Sequence, residues 1–347
     1  SPEKLNDYLR LRTYVLRGRI GSSPAAALAR RERLSRRVEQ AIVPAEPTDR
    51  LEQELNDLPA RHTLASLGDF RVLYTSAAAS PAVLREIGRL RELTFRGVGE
   101  GTGRARDLDE FDADYLHLLV WSNDSKQIVG AYRLELSDEI LARRGIAGLY
   151  TSTLFRYDRA LLDQIGPAIE LGRSFIRPEF QRDYAPLMLL WRGIARFIAA
   201  HPKYKMLFGP VSISNDYHSL SKQLLMEFLS HNGASPDLQK LITPRNPPRL
   251  GKFRGIEAKL AATAVRDVRN LDDILAEIEA DRLSMPILLR QYLKLNARLL
   301  AFNVDPDFGD VLDGLMLADL TTVDRAMLVR YMGRDEAAQF LAFHGIG

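Results

Sequence analysis

Apolar residues recur along this chain at two periods, and the switches between them mark its elements. The stretch SPAVLREIGRLRELTFRGV, 80–98, sets Val83, Leu84, Ile87, Leu90 and Leu93 at helical spacing behind a Ser-Pro start. PLMLLWRGIARFIAA, 186–200, does the same with Leu187, Leu190, Trp191, Ile194 and Ile198. DFRVLYTSA, DYLHLLVWS and QIVGAYRLEL read as strands, the last two joined by the hairpin-type turn NDSK. GLYTSTLF and AIELGRSFI add strand character, and YKMLFGPVSIS is the nearly continuous apolar run of a strand buried on both faces. A helix over DYHSLSKQLLMEFLS, a loop TPRNPPRLGKFRG and a mostly helical last third with one late strand, DGLMLADL, complete the pattern. This order predicts an α/β (α+β) fold with a mixed sheet flanked by helices, not a regular doubly wound one.

Two helices precede that unit, each opened by a Ser-Pro pair (Ser1-Pro2, Ser23-Pro24), and PAEPTDR, 44–50, reads as a linker. The expected division is a basic helical extension over 1–63 and a catalytic domain over 64–347. Net charge is only +3, yet nine arginines fall between Arg10 and Arg37. Such a cluster is either a solvated helix face or a surface for an acidic protein or an anionic membrane. It lacks the interleaved aromatics of stacking sites, so nucleic acid is not expected. A start at Ser1-Pro2 without Met suggests a piece of a longer polypeptide.

There is no cysteine, which removes disulfides, thiolate nucleophiles and cysteine-bound zinc. The six histidines show no HxxxH or HxH spacing, so no metal is expected. No apolar run approaches the ~20 residues of a membrane span, and no signal peptide is evident. The expected location is cytoplasmic, with peripheral attachment at the inner membrane as the alternative.

The chemistry concentrates in a few charged residues at unusual places. FRGVGEGTGRARDLDEFD lacks nucleotide-loop spacing, and its glycines are expected to turn the chain and bring backbone amides near a ligand. Asp109 and Asp112 precede a strand, Arg133 sits in the next, and Glu170 and Arg173 sit inside an apolar one. They make either a structural ion-pair network or a carboxylate site that holds an amine and takes its proton. Residues three apart on a strand face opposite ways, so a shared site for Glu170 and Arg173 requires a bulge, expected at about Leu171 to Arg173 with Gly172 as the easiest point. Arg177, Gln181 and Arg182 lead into a helix with Pro186 in its first turn. That is either a capped helix on a basic surface or a site for the phosphate of a pantetheine arm.

ELGRSFIRPEFQRDYAPLMLLWRGI and YKMLFGPVSIS, with FRGVGEGTG, DLDEFD and GAYRLEL upstream, resemble the hemolysin-like branch of the GNAT acyltransferases from about Asp69 onward. That branch includes the ornithine-lipid N-acyltransferases. The resemblance implies a mostly antiparallel sheet and transfer of a 3-hydroxyacyl chain from acyl carrier protein to the α-amine of ornithine, without metal or other cofactor. A weaker similarity to acyl-homoserine-lactone synthases adds Arg91 and Phe95 to Asp109, Asp112, Arg133, Glu170 and Arg173. Ala185 and Pro186 stand where the usual GNAT motif has glycines, which favours a carrier-protein donor over free CoA. The N-terminal helices resemble the tail that follows a glycerolipid-type acyltransferase domain; its HxxxxD motif is not in this sequence, so no O-acylation is expected.

On that reading Glu170 removes the ammonium proton, directly or through water, and Asp109 and Asp112 hold the substrate's cationic groups. Amides of the bulged strand polarise the thioester carbonyl. Tyr184 belongs to the donor site, and Tyr184, Ser212, Ser214 and Tyr217 stay equal candidates for protonating the leaving thiolate. An apolar tunnel is expected along Leu187–Ile198 and Met206–Val211. Rival acceptors are glycine, another amino acid or the amine of a homoserine-lactone precursor; the rival of another class is a basic membrane-binding module without catalysis.

Overall fold

The computed structural model describes residues 39–232, 235–248, 268–279 and 284–347. Up to residue 38 the two helices expected at the N-terminus lie outside the described residues, and the expected end of the second, 39–43, is not helical. The stretch 44–50 does not behave as a free linker. Helix α1 (Thr48–Asn56) begins inside it and buries Leu51 and Leu55 against Leu73, Val83 and Ile87. Glu54 of α1 accepts the first free amides of α2 (Pro81–Gly97), at 2.9 Å from Ala82 N and 3.0 Å from Val83 N. A carboxylate at a helix N-terminus satisfies orphan donors and the dipole together. Glu46 adds an ion pair to Arg85 at 2.7 Å.

Strands β1 (Thr63–Leu67), β2 (Phe70–Ser76), β3 (Leu116–Ser122) and β4 (Gln127–Leu136) form an antiparallel meander. Helix α3 (Ser137–Arg144), the short β5 (Phe155–Tyr157) and α4 (Arg159–Ile165) lead to β6 (Ala168–Ile176), then α5 (Ala185–Ala200) and β7 (Met206–Ile213). Beyond α6 (Ser219–Asn232), α7 (Pro236–Gln239), β8 (Ile242–Pro244), α8 (Val268–Ile278) and α9 (Ile287–Lys294) comes a hairpin, β9 (Arg298–Asp305) and β10 (Val311–Asp319). Helices α10 (Arg325–Met332) and α11 (Arg334–Phe343) end the chain. The sheet order is β1-β2-β3-β4-β6-β7-β10-β9, with β5 and β8 paired apart. The last third therefore contributes a full hairpin and not one late strand. β9, RLLAFNVD, was hidden because Asn303 cuts its apolar run to four residues, 299–302.

Alternate residues of the central strands serve two faces. Leu118, Val120, Ile169 and Leu171 pack beneath α5, whereas Leu119 and Trp121 meet α2. All neighbouring strands are antiparallel except β6 and β7, which run parallel. Their pairing covers only Ala168↔Met206, Ile169↔Leu207 and Glu170↔Phe208, although β6 continues to Ile176 and β7 to Ile213. Beyond Glu170 their facing edges have no ladder partners among the described residues. Among the described residues no helix is long and apolar enough to cross a membrane.

Candidate active site

A bulge in β6 sits close to its expected place. Ala131 faces Phe175 and Arg133 faces Gly172, so β6 carries one residue more than β4 between those pairs. The residue that turns is Arg173, at φ 51°, and not Gly172. A non-glycine residue in the left-handed region is held there by its surroundings. Here the guanidinium lies between two rings, Tyr150 at 4.9 Å and Phe308 at 4.6 Å. Asp107 and Asp109 each stand 3.6 Å from it.

The charges singled out in the sequence do come together, but mostly onto one another. Asp109 and Asp112 form a capping box over the turn Glu110–Ala113. Asp112 meets Arg91 at 2.8 Å and Arg133 at 3.3 Å, and Arg133 meets Asp109 at 2.6 Å. Burial opposes ionisation of Asp112, but Arg91 and Arg133 outweigh it and hold its carboxyl well below the ordinary range. His117 completes the set, accepting from Arg91 through Nδ1 at 3.4 Å and donating from Nε2 to the Asp112 carbonyl at 3.0 Å. Burial first, then Arg91, pulls its imidazole down to about 4, so it is neutral near pH 7. Both Asp112 oxygens are engaged, Oδ1 by Arg91 and Arg133 and Oδ2 by the Asp109 amide at 2.8 Å, and the residue is buried, so its charge is already met by the protein's own cations. Arg133, fully buried, rests on the rings of Tyr115 and Tyr150. Phe95 touches Phe308 edge-on at 5.1 Å and so supports Arg173 from behind.

Glu170 is placed differently from the expectation of an accessible base. It is 1% exposed. Its oxygens accept from the amides of Tyr150 (3.1 Å) and Thr151 (2.7 Å) and from the hydroxyls of Tyr115 and Thr151. Burial pushes its carboxyl up, against those donors, all of which favour the charged form. In this arrangement Glu170 has no free lone pair for a substrate proton. It instead pins the segment Tyr150–Thr151 and so sets the ring of Tyr150 over Arg173 and Arg133. This also explains why GLYTSTLF, read as a strand, forms two turns over Gly145–Gly148 and Tyr150–Thr153 before β5. Amides captured by a carboxylate cannot pair in a ladder.

The glycine-rich loop also closes on the protein's own acid. Glu92, fully buried, accepts from Thr102 N (3.0 Å), Thr102 Oγ1 (2.7 Å) and Gly103 N (2.9 Å). Those amides are not available to a ligand.

On the donor side, Arg177 pairs with Glu179 at 3.1 Å and Gln181 donates to the Ile176 carbonyl at 2.8 Å. Arg182 is exposed and has no ion pair among the described residues. Asp183, which the sequence reading passed over, accepts from Ala185 N at 2.9 Å, and Pro186 has no N–H, so the α5 terminus offers fewer amides than expected. Tyr184 accepts from Gln291 at 2.9 Å. Of the candidate hydroxyls, Tyr217 donates to Ser284 O at 2.5 Å, Ser214 stands 3.3 Å from Asp216, and Ser212 donates to Asp313 at 2.8 Å. A small apolar pocket, with about 20 Å³ of space open to a water-sized probe, lies between α5, β7 and α10, lined by Trp191, Ile194, Ile198, Leu207, Val323 and Met327 among others. It takes in part of the wall expected for an acyl tunnel.

Sequence reasoning missed Asp107, His117, Tyr150, Glu135, Asp305 and Asp313. The signal that selected Glu170, an acid inside an apolar strand, applies equally to Glu135 of β4 and Asp313 of β10. Glu135 in fact lies directly across from Glu170 in the ladder. Burial pushes Glu135 up to about 8, with Glu170 adding to the effect.

An acetyltransferase (GNAT) domain family matches residues 90–192, from α2 to the middle of α5. The glycine N(alpha)-acyltransferase of Phocaeicola vulgatus is 32% identical over 255 residues, covering 69% of this chain and 77% of that protein. That of Bacteroides thetaiotaomicron is 32% identical over the same length, covering 74% of that protein. A solved CoA-dependent acyl-homoserine lactone synthase, bound to MTA, aligns over 79% of this chain and 88% of its own at 11% identity and a TM-score of 0.33. The chain belongs to the GNAT acyltransferases: its mixed, mostly antiparallel sheet flanked by helices is of that fold, and its activity is acyl transfer.

Proposed function

We propose that the protein transfers a fatty acyl group from a thioester to the α-amine of an amino acid. The observation that carries this is the parting of β6 and β7 beyond Glu170↔Phe208, beside a bulge that turns Arg173 into the left-handed region. Backbone groups left without ladder partners can bind the amides of a pantetheine arm and polarise a thioester carbonyl, a contribution of about 3 kcal/mol for one well-aimed donor. Glycine is the first acceptor to test, because the related enzymes carry that name. Ornithine is the second, favoured by Glu100. Burial, then the neighbouring Asp216, pushes its carboxyl up to about 7, and no cation pairs with it among the described residues. A second ammonium on the acceptor would supply that charge.

The donor in this reading is an acyl carrier protein thioester with no metal or other cofactor. Exposed Arg182 receives its single phosphodiester, and the arginines between Arg10 and Arg37 hold an acidic carrier or an anionic membrane surface on the cytoplasmic side. The acyl chain enters at the small apolar pocket between α5, β7 and α10, which must widen around it. The test is thiol release from acyl carrier protein and CoA thioesters against a panel of amines. Release stimulated by glycine or ornithine is expected; no stimulation by any amino acid overturns the reading.

A further inference from the structure

A second set of buried groups takes no part in the ion-pair network. Asp313 of β10 lies directly opposite Ser212 of β7 in the ladder, and Ser212 Oγ donates to its Oδ1 at 2.8 Å. Asp313 is 3% exposed and Asp305 of β9 is 5% exposed. Among the described residues Asp305 accepts only local amides, such as Asp307 N at 3.0 Å. Both acids act electrostatically on Arg173 and on Tyr150. Ser212 stands on the part of β7 that has left β6, so this group borders the separation between the strands. A second observation is independent of the acids. Tyr150 is 9% exposed, its ring lies against Arg173 and Arg133, and its hydroxyl has no hydrogen-bond partner among the described residues. Arg173 Nε is likewise without a hydrogen bond.

Asp313 acts electrostatically on Tyr150 and on Arg173, whose guanidinium has Asp107 and Asp109 at 3.6 Å but keeps its Nε free of hydrogen bonds, so the group offers a partner for each end of a zwitterion. We propose that this is the acceptor subsite: Asp313, oriented by Ser212, receives the α-ammonium and takes its proton, while Arg173 and Tyr150 hold the α-carboxylate. The chemical step rests on the acyl-transfer reading; the binding of an amino acid does not. The balance is simple. One ammonium proton passes to Asp313, and the freed lone pair forms the C–N bond at the thioester carbonyl. The C–S bond breaks, the sulfur leaves as thiolate and gains the second nitrogen proton as thiol, and Asp313 returns its proton to solvent. Burial, with Asp305 and Glu100 adding to it and Ser212 opposing, pushes the Asp313 carboxyl up to about 8. That is a range in which a base and its acid form exchange readily near neutral pH. An incoming ammonium stabilises the charged form that burial disfavours.

The test separates binding from turnover. Binding of isotope-labelled glycine and ornithine to the full chain is measured by ligand-observed NMR, together with thioester release. Asp313→Asn keeps the shape and an acceptor for Ser212 Oγ, so it is expected to fold, to bind the amino acid more weakly and to lose about 100-fold or more in transfer at pH 7, the usual weight of a general base. Glycinamide, which lacks the carboxylate, is expected to bind wild type at least about 10-fold more weakly than glycine, a probe that leaves the protein untouched. Amino-acid binding that Asp313→Asn weakens, without acyl transfer by wild type, keeps the site and rejects the reaction. Transfer by Asp313→Asn at the wild-type rate, equal binding of glycinamide and glycine, or no amino-acid binding at all overturns the proposal.

Discussion

Gly209 and Leu171 meet backbone to backbone at the point where β6 and β7 part: a Cβ added at Gly209 would lie 2.1 Å from the Leu171 carbonyl oxygen. This contact immediately follows the last ladder pair, Glu170↔Phe208. The splay therefore depends on an approach that only glycine permits. Gly209→Ala must push the two strands apart or twist the Leu171 carbonyl away, at a cost of about 1–3 kcal/mol for overpacking. Thermal unfolding is expected to show a lowered midpoint. Acyl transfer by the folded fraction should fall more than stability does, because the same shift moves the bulge. A variant with wild-type activity would separate the strand geometry from catalysis.

Glu170 makes a different kind of prediction. Glu170→Gln replaces an oxygen that accepts hydrogen bonds with an amide that must donate, facing donors from Tyr115, Tyr150 and Thr151. A buried donor left against donors costs about 1–3 kcal/mol, more where the lost group was charged. Denaturant unfolding should show this loss. The pH dependence of transfer by the folded variant is expected to keep the acid limb of wild type, because Glu170 anchors the Tyr150 segment without itself taking the proton. Disappearance of that limb in Glu170→Gln would restore Glu170 as the base.

Why was so much of the sheet legible and the site only half so? Strands β2, β3, β4, β6 and β7 follow directly from apolar periodicity, and the bulge follows from a charge pair at an impossible spacing on a flat strand. The contents of the site depend on pairings between distant segments, which no periodicity encodes. Asp112 could be picked out, but not that Arg91 and Arg133 would close on it. Tyr150 looked like strand because its amide partner, Glu170, lies twenty residues on. Asp313 stood in a readable strand, yet its meaning depends on Ser212 arriving opposite it from 101 residues away.

The Arg91–Asp112–Arg133 cluster predicts a large loss from a small change. Asp112→Asn leaves two buried guanidinium groups facing a neutral amide. Removing one partner of a buried ionic cluster costs about 3–5 kcal/mol. Urea unfolding at pH 7 should show that loss, whereas Asp114→Asn, which removes exposed pairs to Arg143 and Arg144, should cost about 1 kcal/mol or less.

His117 sets a pH signature. Its folded value is lowered from 6.5 to about 4, by burial first and Arg91 second. Between those two pH values the unfolded chain binds a proton that the folded chain refuses. The His117 contribution is therefore whole above pH 6.5, falls as pH drops, and stops changing below about 4. Its size is on the order of 3 kcal/mol. Glu135 and Asp313, with raised carboxyls, slope the other way over an overlapping range, so the readable quantity is a difference. Wild-type minus His117→Asn unfolding free energy should shrink by that amount from pH 6.5 to 4. A flat difference would mean that His117 is protonated in the fold.

The pocket between α5, β7 and α10 gives the last prediction. Met327 stands at its partly buried rim, whereas Trp191, Ile194 and Leu207 are its buried floor. Filling from the rim changes the available volume with less strain than substitution in the floor, because a rim side chain can relax toward solvent. If the pocket receives the acyl chain, Met327→Trp shortens the chain that fits. Each methylene excluded from apolar contact removes about 0.8 kcal/mol of binding, close to fourfold in KM. Transfer from thioesters of graded length should then show a preference moved to shorter chains, with kcat for the shortest donor unchanged. An unaltered length profile would place the chain elsewhere, along the unpaired edges of β6 and β7.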